Sequence, residues 1–427
     1  MSQQPALRRV MGAFDATTVG VGAMIGAGAF VVFAPAAAAA GRFLPLAILI
    51  AGLVAYCNAS ATASLAVRYP SSGGAYVYGR EQLGHWTGFL AGWSFVTGKL
   101  ASCAAMALTF GLYAAPGFEK AAAVAAVAAL TAVNLLGVTR TALATRVIVS
   151  LVVPVIAFVI VVALSTPPAE GASDTVPVGA GGVLQAAALL FFAFAGYARI
   201  ATMGEEVRNP RRTIPLAVLG ALGFTLVLYL VLGVSLLRVL GPAALAEASA
   251  PLRDVFDAAV PGEGSMGRGG AVVTLAAALA SLGALLALIA GVGRTSLAMA
   301  RGGDLPQLLG RVSRRFGVPW VADIATAVVV AVLLLATDVL TVVGFSSFGV
   351  LLYYAIANIA AFTLTDRQWY APRWLNVAGA LACLVLAFTL PATSVVTMLV
   401  VLAVGLVGRA IVLARRARDG VSGVRRG

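Results

Sequence analysis

The groups in this sequence best placed to bind a ligand are backbone groups freed by glycine. The run VGVGAMIGAGAF puts Gly20, Gly22, Gly26 and Gly28 inside an apolar stretch, and each glycine weakens a helix there by about 1 kcal/mol. Two outcomes are open. Gly22 and Gly26 can form a small-xxx-small packing face between helices. Alternatively the helix unwinds at its midpoint, and the N–H groups of its outer half, at the positive end of that half-helix dipole, attract a carboxylate in a low-dielectric cavity. A second interruption lies in FFAFAGYARIATMGEEVRNPRR, where Gly196 breaks an apolar run and polar residues follow early.

Covalent chemistry finds little support. His85 is the only histidine, so no histidine metal cluster and no His-based hydrolase triad can be assembled. Cys57, Cys103 and Cys383 stand alone in apolar segments, without the spacing of a metal site or a disulfide framework. Gly92 to Lys99 fails the phosphate-loop pattern in glycine spacing and in the residue after the lysine, and Ile25 sits where GxGxxG needs its third glycine. No nucleotide, metal or other cofactor is implied.

Long apolar elements must position these residues. Of 427 residues, 61% are hydrophobic and 11% charged, far from the roughly 45–50% apolar share of soluble domains. Runs of the length that crosses a bilayer fall at 13–36, 43–67, 86–114, 120–138, 146–165, 183–204, 214–238, 271–299, 321–336, 339–364, 374–390 and 393–414. An all-α polytopic membrane protein of twelve helices is therefore expected. Arg8 and Arg9 before the first run, with Ala34-Pro35-Ala36 at its end, mimic a signal peptide. The length of the run and the spans that follow favour instead a first helix anchored by those arginines.

The net charge of +13 does not point to nucleic acid, because the basic residues lie between apolar runs and not on one face. They gather on one side of the alternating segments, and only Arg42, Lys120, Arg238, Arg253 and Arg268 fall on the other. That bias puts both termini, 1–12 and 415–427, in the cytoplasm. Segments 166–182 and 239–270 then face outward as short loops or a small amphipathic helix. Asp15 reads as the N-cap of the first helix. Two interrupted helices, each opening a set of five, match the pattern of an inverted-repeat transporter with its site at the bilayer midplane.

GAMIGAGAF, YPSSGGAYVYGREQLG, GYARIATMGEEVRNPRRTIP and AMARGGDLP, in that order, resemble the amino acid-polyamine-organocation permeases, in particular the bacterial amino acid permeases. The resemblance implies a leucine-transporter-type fold: a five-plus-five inverted repeat, 13–165 and 183–364, with two further helices in 374–414. It implies no enzyme activity. The implied function is secondary transport of amino acids across the inner (plasma) membrane by alternating access, through proton symport or exchange. An amine or polyamine exchanger, or a non-transporting sensor that keeps the fold, is the alternative. An intramembrane enzyme fits less well, since the spans hold almost no acids, bases or metal ligands.

The same resemblance places substrate between the breaks, against Met24, Ile25, Gly26, Ala27 and Gly28 on one side and Phe192, Phe194, Ala195, Gly196 and Tyr197 on the other. Ala27 and Gly28 would offer N–H groups to the carboxylate, and the carbonyls of Met24, Phe192 and Ala195 would accept from the ammonium. Phe192, Phe194 and Tyr197 would gate or shape the pocket, or simply pack.

Lys99 lies deep in the third run, where a lysine costs about 2.5–3.5 kcal/mol on insertion scales, so it faces the protein interior. There it forms a structural ion pair or carbonyl contact, gains and loses a proton during transport, or supplies a fixed cation in place of sodium. Arg199, Glu205 and Glu206 at the inner end of the sixth run would close a gate by charge pairing, or snorkel to the interface. Sodium coupling is disfavoured, because Ser281 is the sole hydroxyl near the middle of the eighth run. The absence of acids near either break favours a neutral substrate over a strongly cationic one.

Overall fold

The computed structural model describes residues 11–69, 73–136, 141–168, 179–201, 207–259, 268–313, 315–366 and 368–424. In lipid a chain must satisfy its own backbone polar groups, which selects helices. Among the described residues the structure is helical, apart from an isolated parallel bridge between Met11 and Val207. The helices are α1 (Ala13–Val31), α2 (Phe33–Ala40), α3 (Leu44–Arg68), α4 (Gly74–Leu83), α5 (His85–Ala114), α6 (Glu119–Leu135), α7 (Thr141–Ser165) and α8 (Ala180–Phe194). They continue as α9 (Ala198–Ala201), α10 (Pro210–Glu247), α11 (Pro251–Ala259), α12 (Arg268–Arg301), α13 (Trp320–Ala336), α14 (Val339–Phe362), α15 (Arg373–Thr389) and α16 (Ala392–Val424).

Nine helical segments among the described residues are long and apolar enough to cross a membrane. α13 and α15 are apolar but only 17 residues each, and the alanine-rich α6 is also 17. A helix of that length reaches about 25 Å, short of a roughly 30 Å hydrocarbon core.

Several boundaries differ from the sequence expectation, for local reasons. The first run does not continue to residue 36: α1 stops at Val31 and α2 restarts at Phe33. Gly41, at φ 51°, then turns the chain into α3 through a backbone conformation that glycine adopts without penalty. The expected loop 68–85 contains α4, which Gly84 (φ 99°) separates from α5. In 239–270, α10 continues to Glu247 across a break at Gly241, and the short α11 follows. Arg8, Arg9 and most of segment 166–182 lie outside the described residues.

Asp15 is not the N-cap. α1 begins after Gly12, so Asp15 stands in its first turn, accepts a 3.3 Å hydrogen bond from the Gly12 N–H, and pairs with Arg146 on α7. A carboxylate there still complements the helix dipole.

The centre of the bundle is built on α5, which packs along α14 and α12, while α1 packs against α7, α10, α12 and the broken α8. In its apolar window α5 is 78% buried, against 22% for α16, so α5 is a core post and α16 a peripheral helix.

Candidate functional site

The two glycine-rich interruptions meet. α1 loses helical backbone at Gly26 (φ −35°, ψ −135°). α8 ends at Phe194 and passes through a 3₁₀ turn, Ala195–Tyr197, before the single turn of α9. Contact between them requires glycine. A Cβ at Gly28 would lie 2.7 Å from the Ala193 Cα, and one at Gly196 would lie 2.6 Å from the Met24 amide nitrogen. Backbone approach of this kind is what small residues permit between membrane helices.

Tyrosines brace both interruptions. Tyr229 on α10 donates its hydroxyl to the Met24 carbonyl at 2.7 Å, and Tyr354 on α14 donates to the Ala195 carbonyl at 3.4 Å. The Phe192 carbonyl accepts from the backbone N–H of Ala195. The Met24 and Ala195 carbonyls thus each accept a tyrosine hydroxyl, and the Phe192 carbonyl a backbone N–H.

Beside the interruptions lies a cavity of about 310 Å³, walled by α1, α5, the second interruption and α12. Phe192, Ala195, Gly196, Lys99 and Arg199 line it. Met24, Ile25, Phe194 and Tyr197 are buried behind that wall. There Phe194 packs edge-on to Tyr229 at 5.2 Å between ring centroids, and Tyr197 lies 5.2 Å from Tyr354. Gly26 and Gly28 are packed out of the wall by Met106, Ala284 and Ala193. Ala27 belongs to the same stretch of α1. Glu205 and Glu206 lie outside the described residues.

Lys99 is 7% exposed, and among the described residues it makes no ion pair. Ser102, one turn further along α5, lines the same wall and shares a 2.7 Å hydrogen bond with Ser346 of α14. α12 contributes Arg294 and Thr295. Sequence reasoning passed over Arg294, although it is a charge within an apolar run, the same signal that singles out Lys99. Its nearness to Arg301 made it look like one of the basic residues of the following loop.

Beyond this cavity, where α5 begins and α12 ends, Asp304 gathers a polar cluster. It binds Arg409 of α16 at 2.9 Å, lies 3.6 Å from Arg80, and accepts from the Tyr76 hydroxyl at 2.9 Å. Burial, followed by the charge of Asp304, pushes the Tyr76 phenol above its usual pKa, so Tyr76 stays a neutral donor. Asp304 belongs to the AMARGGDLP motif.

Residues 11–411 match the amino acid permease family. The chain belongs to that family. An uncharacterized transporter of Mycobacterium tuberculosis is 50% identical over 426 residues, covering 98% of this chain and 94% of that one. A branched-chain amino acid permease of Bacillus subtilis is 27% identical, with 95% and 93% covered. Cationic amino acid transporter 7 of Arabidopsis thaliana, a chloroplastic protein, is 28% identical, with 86% and 68% covered. The permease is thus a multi-pass membrane transporter and not an enzyme. The last two relatives differ in the charge of what their names say they carry, so membership alone leaves this permease's substrate open.

Proposed function

We propose that the chain is an alternating-access secondary transporter that carries amino acids across the plasma membrane. The observation that carries this reading is the meeting of the Gly26 and Gly196 interruptions beside a cavity of about 310 Å³. That volume is at the small end of ligand pockets, which begin near ~300 Å³, and suits a molecule of amino acid size.

In this reading twelve helices form a five-plus-five inverted repeat, 13–165 and 183–364, followed by two helices in 374–414, with both termini cytoplasmic. The substrate carboxylate takes the N–H groups of Ala27 and Gly28, and its ammonium is held by the Met24, Phe192 and Ala195 carbonyls. These backbone dipoles act in a site shielded from water, where they are stronger than in solution. Lys99, on the cavity wall, couples binding to a proton or a counter-substrate as the two halves rock about the site. Arg199, Glu205 and Glu206 supply the charges of an inner gate.

The test is uptake of labelled amino acids into proteoliposomes, with and without a pH gradient and with and without internal amino acid. Uptake driven by the gradient indicates symport, and uptake that needs internal amino acid indicates exchange. Saturable binding with no uptake under any of these conditions makes the protein a sensor that keeps the fold, and overturns the proposal.

A further inference from the structure

We propose that the permease carries an amino acid with a negatively charged side chain, held by Lys99 and Arg294 while its α-carboxylate occupies the interruption of α1. This rests on the transport reading above.

Among the described residues the cavity wall carries Lys99 on α5, Arg199 after the second interruption and Arg294 on α12, and no aspartate or glutamate; Arg199 already has an interaction of its own. Asp323 of α13 interacts electrostatically with Arg294 but is 2% exposed and is not part of the wall. Its Oδ1 is without a hydrogen-bond partner among the described residues. Lys99 has no acidic partner at all among them. Buried Lys99 is stabilised by whatever anion enters, and Arg294, which is exposed, adds a second donor to that anion.

The charges are also displaced from the interruption in a useful direction. Met106 packs at the position of Gly26, where an added Cβ would lie 2.9 Å from its sulfur. Lys99 is two turns away along the same helix, about 10 Å at 1.5 Å per residue. A substrate whose α-carboxylate sits at the interruption and whose side chain extends along α5 brings that side chain to the Lys99 ammonium. Arg294 adds a planar guanidinium, which matches a carboxylate through two parallel N–H donors. A neutral side chain leaves Lys99 without an anion, and a cationic one meets like charge from two helices.

The inference departs from the neutral substrate expected from sequence, where Arg294 was not assigned to the site. It also departs from the substrates in the names of the Bacillus subtilis and Arabidopsis thaliana relatives.

The experiment is a proteoliposome uptake panel of labelled glutamate, aspartate, leucine and arginine, run on the full chain and on Lys99→Met and Lys99→Arg. Glutamate or aspartate should enter about tenfold faster than leucine or arginine, the ratio set by one well-placed charge contact. Lys99→Met should remove most of that preference, and Lys99→Arg should keep it. If Lys99→Met does not purify as a monodisperse protein, Arg294→Gln should lower the acidic-to-leucine ratio in the same direction. Preference of the unaltered protein for leucine or arginine, or an unchanged ratio in the neutral variants, overturns the inference and leaves transport standing. Absence of uptake for all four, repeated with the remaining proteinogenic amino acids, overturns the transport reading and this inference with it.

Discussion

Tyr229 donates its hydroxyl to the Met24 carbonyl at 2.7 Å, two residues before the backbone of α1 leaves helical geometry at Gly26. The same hydroxyl lies 3.5 Å from the Ala193 carbonyl on α8, so one side chain on α10 holds both interrupted helices. Tyr229→Phe keeps the ring and its contacts with Phe33 and Phe194 but leaves the buried carbonyl short of a donor. The expected loss is about 1–3 kcal/mol. It should appear as a lower melting temperature in detergent, with uptake reduced at unchanged protein yield. Unaltered stability together with unaltered uptake would show that the tyrosine merely fills space.

Gly196→Ala tests the contact between the interruptions. The added methyl meets the backbone of Ala23 and Met24, not a side chain that can turn away. Overpacking of this kind costs about 1–3 kcal/mol, and here it also pushes α8 off α1 beside the cavity. Uptake should fall well below that of the unaltered protein while the variant still purifies. Gly223→Ala on α10 is the matched control, since a Cβ there meets nothing within 4 Å. It should be neutral, or stabilising by up to about 1 kcal/mol from helix propensity.

The glycine interruptions were legible because a helix penalty is local: Gly26 and Gly196 stand out within their own apolar runs. Tyr229 was not legible, since nothing in its neighbourhood on α10 signals that its hydroxyl reaches α1, a chain separation of 205 residues. The same holds for the wall of the cavity. A helix that is apolar all round does not advertise which face turns inward, so Phe95, Ser102 and Thr295 could not be told from lipid-facing or packing residues until α5 and α12 were placed. Asp15 failed differently, because capping and first-turn acids look alike when the exact start of a helix is unknown. The short α4 was hidden by its own polarity, which reads as a loop between two spans.

Asp15 and Arg146 join the start of α1 to α7, with side chains 22% and 43% exposed. Partly solvated pairs contribute little, typically below about 1 kcal/mol. Asp15→Asn should therefore leave the melting temperature nearly unchanged. If the contact orients α1 against α7 during transport, uptake should fall in Asp15→Arg and recover in the exchanged pair Asp15→Arg with Arg146→Asp. No recovery in the exchanged pair would reduce the contact to a local one.

Asp304 and Arg409 should behave in the opposite way, because their side chains are only 5% and 6% exposed. The Arg409 guanidinium also donates to the His85 carbonyl at 2.6 Å and lies over the rings of Trp86 and Phe89 at 4.7 and 4.8 Å. Asp304→Ala removes the carboxylate but leaves a buried cation, a change that costs about 3–5 kcal/mol when no other acid can replace it. The carbonyl and the two rings soften the loss, so the lower end of that range is expected. Arg409→Met in the same background removes the stranded charge, and the double variant should be more stable than Asp304→Ala alone. The four melting temperatures, converted to free energies, give a coupling term for the pair. A term near zero would mean that Asp304 holds α12 chiefly through Tyr76 and Arg80, and Tyr76→Phe should then reproduce most of the loss. A large term means that α16, peripheral by its exposure, is tied to the end of α12 through one buried ion pair.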